Sequence, residues 1–143
     1  MGRVQCFLLE KVQPVQTVTR PDAPHISTPI YRRVDNGELM TIHEAPPGAI
    51  WRATWYEEAN QGLTGADGKS YMCKLPNGTH WAIDGQASNC TKKDDRVHKC
   101  WCRHGEAPQF TVDKNGHTCE AGAGSIQSEG YHGFLRNGWL EEC

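Results

Sequence analysis

No apolar run in the sequence approaches the ~18 residues that a membrane-spanning helix needs. The opening Met1 to Glu10 carries a short apolar patch, without the length or the small-residue cleavage site of a secretory signal. The expectation is therefore a protein made and kept in a cytoplasm. Charge of one sign is also missing, since the formal net charge is -2. Nucleic-acid binding needs a basic face. The locally basic Lys92, Lys93, Arg96 and Lys99 are interrupted by Asp94 and Asp95, which reads as a solvated loop. The chain contains no Gly-x-Ser-x-Gly elbow, no Walker loop and no His-Glu-x-x-His. It also has no Cys-x-x-Cys pair. These absences leave no complete active site legible, and the expectation is a protein that is not an enzyme.

What is present points to a β-rich chain. The 143 residues suit one domain. With 15 glycines and 8 prolines there are many turns and little room for long helices. The Pro-rich stretch with Pro14, Pro21, Pro24 and Pro29 follows one plausible strand, Val4 to Leu9. Proline fixes φ and removes a donor, so this stretch reads as an extended arm over residues 1–48. Asn-Gly or Asp-Asn-Gly turns separate pairs of short apolar runs. Such turns set Ile30–Val34 against Leu39–Ile42, Tyr71–Leu75 against His80–Asp84, and Tyr131–Leu135 against Trp139–Glu142. Pro46 and Pro47, followed by Ile50, Trp51 and Trp55, suggest one short helix near 47–58. The predicted architecture is mainly β: a single small antiparallel sheet or sandwich-like domain over 49–143, with the arm before it.

The chemistry-bearing residues crowd into the second half. Seven cysteines in a reducing compartment favour metal ligation over a disulfide framework, and an odd count leaves one thiol over. Zinc takes four nitrogen or sulfur ligands from short chain segments. Cys90, Cys100, Cys119 and His132 draw on four separate places, so zinc there would staple loops that have little core. His98 and His104 are the substitutes. On one strand His98, Cys100, Cys102 and His104 would share a face. Disulfides, or plain buried thiols beside ordinary imidazoles, remain the alternatives. Cys6, Cys73 and Cys143 lie apart, and a pair of them meeting across a subunit boundary could crosslink an assembly. The glycine-rich piece Ala121 to Ile126 could cradle an anion but more often makes a tight connection.

Ser88-Asn89-Cys90-Thr91, His98-Lys99-Cys100-Trp101, Arg103-His104-Gly105, Thr118-Cys119, Ala121-Gly122-Ala123-Gly124-Ser125-Ile126 and Tyr131-His132-Gly133-Phe134-Leu135-Arg136-Asn137-Gly138 together resemble an uncharacterised protein family of tailed bacteriophages and prophages. Gly37-Glu38-Leu39-Met40 and Pro47-Gly48-Ala49-Ile50-Trp51 resemble the same proteins, so the likeness runs through most of 30–143. The His-Gly-Phe-Leu-x-Asn-Gly ending also resembles that of small proteins suspected of binding zinc. Cys102 departs from the family pattern and stays outside the zinc set. The resemblance implies a phage genome rather than a mechanism. An arm with few core residues gains order by lying against something else. The expected role is thus a minor structural protein of a virion: a decoration, cement or adaptor protein synthesised in the host bacterial cytoplasm. Its partners would be other virion proteins, such as the major capsid protein or tail and neck proteins, or further copies of itself, with no direct nucleic acid and no membrane. An intracellular zinc-binding accessory protein and a small zinc or cysteine hydrolase are the alternatives. If the zinc reading holds, native mass spectrometry will show a loss of about 63 Da with chelator alone. Mass gain on reduction, with no metal, would replace zinc by disulfides.

Overall fold

The computed structural model describes residues 2–20, 22–54, 57, 67–84, 102–113, 126–128 and 130–142. The chain is mainly β, built of small and mostly antiparallel sheets. No helix among the described residues is long and apolar enough to cross a membrane.

The first strands are β1 (Arg3–Gln5), β2 (Phe7–Lys11), β3 (Thr17–Arg20), β4 (Ala23–Pro29), β5 (Tyr31–Arg33), β6 (Leu39–Met40) and β7 (Ala49–Arg52). They continue with β8 (Tyr71–Lys74), β9 (His80–Ala82), β10 (Cys102–His104), β11 (Thr111–Asp113), β12 (Ile126–Ser128), β13 (Tyr131–Arg136) and β14 (Trp139–Glu142). A six-stranded sheet runs β6-β5-β2-β7-β8-β9, and a four-stranded sheet runs β1-β14-β13-β12. The pairs β10–β11 and β3–β4 make two further ribbons.

The three turn-flanked pairs predicted from the sequence are all hairpins: β5–β6, β8–β9 and β13–β14. Their turns need the left-handed backbone that Asn and Gly supply. At the tip of β13–β14, Asn137 has φ 50° and Gly138 φ 80°. This turn is also docked. The Gly138 N–H donates to the Phe110 carbonyl at 3.0 Å, and the Gly138 carbonyl accepts from the Cys6 N–H at 2.8 Å. One dipeptide thereby joins the four-stranded sheet to β11 and to the N-terminal segment.

Two expectations are corrected. Residues 1–48 are not an arm throughout. β1 pairs with β14, β2 lies between β5 and β7, and Cys6, Phe7 and Leu9 are core residues. The helix expected near 47–58 is replaced at its start by β7, and among the described residues only Thr54 and Glu57 have helical backbone. The physical reason is the position of β7, which runs parallel to β2 and antiparallel to β8 in mid-sheet. Both of its faces are covered, so Ala49, Ile50 and Trp51 are all buried. A strand covered on both faces reads as a continuous apolar run, which periodicity alone does not separate from helix.

Alternation along the strands sorts the apolar side chains into two cores. Cys6, Ile50, Cys73, Leu75, Trp81 and Ile83 point to one face, where they meet Phe110, Val112, Ile126, Tyr131, Leu135 and Leu140. Phe7, Leu9, Tyr31, Met40, Ala49 and Trp51 line the other face with Ala45. The second face is closed by the loop after β6. That loop carries a reciprocal cap: the Thr41 N–H donates to Glu44 Oε1 at 2.9 Å, and the Glu44 N–H to Thr41 Oγ1 at 3.2 Å. From β8, buried Lys74 reaches up with Nζ and donates to the His43 and Ala45 carbonyls at 3.1 and 2.8 Å. The ammonium satisfies its own burial by tying the loop down.

Gly48 is where the chain crosses itself. Its φ is +97°, and a Cβ there would sit 2.6 Å from the Gln5 carbonyl oxygen. Gly78 has a similar φ of +86° with nothing within 4 Å of a Cβ. The pair separates backbone preference from crowding. We expect Gly78→Ala to cost about 1 kcal/mol, the left-handed penalty alone. Gly48→Ala should cost more than twice that, because the crossing must open as well. Urea unfolding of the two variants checks this, and equal losses would remove the crowding at Gly48 from the account.

Candidate functional site

Of the four residues predicted to hold zinc, His132 is described. It sits mid-strand on β13, exposed, opposite Gln127 of β12 and between buried Tyr131 and Gly133. The strand's pleat therefore directs its imidazole away from the core. Cys90, Cys100 and Cys119 lie outside the described residues, as do His98, Asp94, Asp95 and the glycine-rich stretch before Ile126. The zinc set as a whole therefore lies outside what the described residues test. Cys102 and His104 do fall on one strand two residues apart, as expected. His104 Nε2 lies 2.8 Å from Asp113 Oδ1 on the paired strand β11. Among the described residues no group of three or more His, Cys, Asp or Glu is arranged to hold a metal.

A buried ion cluster that sequence reading did not single out organises this part of the molecule. Arg103 extends from β10 with its side chain 7 % exposed, and Asp84, just past β9, is 4 % exposed. Arg103 Nε donates to Asp84 Oδ1 at 3.1 Å, and its terminal nitrogens donate to Asp67 at 2.9 and 3.2 Å and to the Lys69 carbonyl at 3.1 Å. Asp84 also accepts from the Tyr71 N–H at 3.0 Å. The guanidinium lies over the rings of Tyr71 and Phe110, 4.8 and 5.0 Å from their centroids. One side chain thus ties the β10–β11 ribbon to the β8–β9 hairpin and to the segment before β8. Burial pushes the Asp84 carboxyl above its usual range, against the pull of Arg103 and the Tyr71 N–H. Hydrogen bonding from Arg103 holds Asp67 below its usual range. For Arg103 burial acts downward, but hydrogen bonds to Asp67 and the charge of Asp84 raise it, so the guanidinium stays charged. In the sequence, Asp67, Asp84 and Arg103 are isolated polar residues near turns, and nothing in their spacing links them.

Among the described residues, two clefts border the six-stranded sheet. The first, about 350 Å³, is bordered by Glu10, Lys11, Tyr31, Arg52 and Tyr71. Its Arg52 is held by Glu57 at 2.7 Å. The second, about 330 Å³, lies between Gln5–Leu8 and Ala107–Gln109 and reaches Cys6.

The ribbon β3–β4 carries part of the exposed apolar surface of the described residues. It is antiparallel, with a bulge at Thr19/Arg20, and among the described residues neither strand pairs with any other. Pro24 and Pro29 fit there because β4 has a ladder on one side only. On the ribbon Val18 and Ile26 are 42 and 41 % exposed; Val15, just before β3, and Val34 and Leu39 at the β5–β6 turn are exposed as well. The Pro-rich stretch is thus extended, as expected, and is closed into a hairpin that its prolines did not advertise.

The fold defines a mainly β chain in which two sheets share an N-terminal segment and a two-stranded ribbon stands apart. Comparison with protein-family models, with curated proteins and with solved structures returns no match in any of the three.

The ion cluster generates a prediction in which the pH dependence has a definite sign. Arg103→Met leaves the Asp84 carboxylate buried beside one backbone donor and should cost about 3 kcal/mol or more at neutral pH. Without the guanidinium the folded-state pKa of Asp84 rises further. Between its unfolded value and that raised value the folded state binds more protons than the unfolded, so stability falls as pH rises. The deficit against the parent should therefore shrink as pH drops towards 4. Urea titrations at several pH values check this, and a deficit independent of pH would mean that Asp84 is not the group left uncompensated.

Proposed function

We propose that this protein is a minor structural component of a tailed-phage particle, a decoration, cement or adaptor protein bound to capsid, neck or tail proteins. The observation that carries the reading is the β3–β4 ribbon. A two-stranded hairpin is marginal in water by itself, and this one keeps the aliphatic side chains of Val18 and Ile26 exposed, with neither outer edge paired among the described residues. Exposed edges and apolar side chains are the equipment for strand addition to a neighbouring sheet. The resemblance of most of residues 30–143 to an uncharacterised protein family of tailed bacteriophages and prophages supplies the setting. The body behind the ribbon is held by sheets, buried ion contacts and a docked Asn-Gly turn, which suits a part that must present one rigid surface. Zinc bound by Cys90, Cys100, Cys119 and His132 belongs to the same proposal, as a staple rather than a reaction centre.

Mass spectrometry of purified particles from the encoding phage should find the chain. The variant carrying both Val18→Lys and Ile26→Lys should fold but enter particles at least about tenfold less, the effect of losing one or two buried apolar contacts. A chain made during infection but absent from particles would replace this reading with the intracellular accessory protein. Wild-type incorporation of the double variant would remove the ribbon from the interface.

A further inference from the structure

Cys6 and Cys73 are far apart in the sequence and meet in the interior. The strand register explains how. Leu8 of β2, Ile50 of β7 and Cys73 of β8 lie in one row across three neighbouring strands, so their side chains share a face. Cys6 precedes Leu8 by two residues and packs on the same face in the same core. A flat sheet would leave β7 between the two cysteines. The crossing at Gly48 changes that, because Val4 and Gln5 lie directly against it, at the level of β7. The N-terminal segment thereby bends over the sheet. Cys6 is pinned at the bend by its N–H bond to Gly138. The two cysteines thus belong to one buried cluster, and Cys6 is the neighbour that most influences the Cys73 thiol.

Their surroundings differ in one respect. Cys73 is 0 % exposed, and its sulfur has the Lys74 carbonyl at 3.8 Å. Cys6, 5 % exposed, forms part of the wall of the second cleft. We propose that Cys6 and Cys73 are a disulfide-forming site, which closes within one chain when the protein meets a low-molecular-weight disulfide. Cys6, reached through the cleft, attacks one sulfur of the reagent, releasing the first reagent thiol and forming a mixed disulfide. Cys73 then attacks the Cys6 sulfur and displaces the second reagent thiol. Two S–H bonds and one reagent S–S bond become one protein S–S bond and two small thiols, so atoms and electrons balance. The hydrogen bond with Cys6, and then burial, hold the Cys73 thiol well above its ordinary range. The second step is accordingly slow in the closed core and proceeds as the N-terminal segment loosens. The product would pin the segment shared by both sheets to the centre of the larger one. The proposal concerns one chain alone and stands whether or not the protein is a particle component.

The test uses the reduced full-length chain, incubated without denaturant with oxidised glutathione. It is then alkylated with N-ethylmaleimide in denaturant and digested with trypsin without reductant. The expected product is peptide 4–11 linked to peptide 70–74, from a chain about 2 Da lighter for that link. The same reaction run in denaturant should lose the preference for this pair. The linked form should melt roughly 10 °C higher than the reduced one, a gain abolished by reductant and absent from Cys6→Ala. Recovery of both peptides as maleimide adducts, of Cys6 stalled as its glutathione adduct, or of either cysteine joined to a different partner would overturn the proposal. Should Cys6→Ala fail to fold, the peptide map of the parent chain decides alone.

Discussion

The structure depends on one stretch of chain doing two jobs. Residues Arg3–Gln5 pair with β14 at the edge of the four-stranded sheet, and residues Phe7–Lys11 run through the middle of the six-stranded one. The switch falls at Cys6, whose backbone N–H is held by the β13–β14 turn. Because β2 sits between β5 and β7, removing it would separate the six-stranded sheet into two parts. Because β1 continues directly from it, the two sheets cannot move independently. The close approach at Gly48 is the local condition for this arrangement, and a residue without a side chain meets it.

Around that shared segment, polar groups replace part of what a larger apolar core would do. Lys74 ties down the loop over one face of the six-stranded sheet, and Arg103 ties the β10–β11 ribbon beside the other. Both are buried cations whose donors are met mostly by groups in segments remote in sequence. A buried charge of this kind contributes less to net stability than its Coulomb energy suggests, since desolvation offsets much of it. Its effect is to exclude other arrangements: moving the loop or the ribbon would strand an ammonium or a guanidinium in the interior. Short strands leave many ways to pack, and these contacts select among them.

The proposed role follows from the contrast between this tied body and the β3–β4 ribbon. Most of the described apolar side chains of the body are enclosed in two cores, with Val34 and Leu39 exposed at the β5–β6 turn, and the ribbon carries exposed Val18 and Ile26 on a sheet of two strands. A protein that serves as a joint in a larger assembly needs both: a part that keeps its shape and a part completed by a neighbour. The buried thiol pair lies where the body is most constrained, and a covalent link there would act on the same shared segment.

Much of the local structure was legible in the sequence. Asp35-Asn36-Gly37, Asn77-Gly78 and Asn137-Gly138 announce tight turns because their backbone tolerates φ > 0, and the flanking alternation announces the hairpins. These are properties of neighbouring residues, which a linear string carries. The prolines likewise excluded helix over 14–29. What required the tertiary structure is everything set by distant residues. β7 resembled the start of a helix because its apolar run depends on having sheet neighbours and covered faces on all sides. The Arg103 cluster and the Cys6–Cys73 contact join residues whose spacing has no period. Cys6 seemed part of an arm, yet it stands at the junction of both sheets. The zinc set of Cys90, Cys100, Cys119 and His132 comes from residue type and local density, and of its members the fold locates His132, on the outward face of β13. Local backbone preference determined where the chain turns, whereas long-range strand pairing and the burial of charge decided which turns, thiols and cations meet.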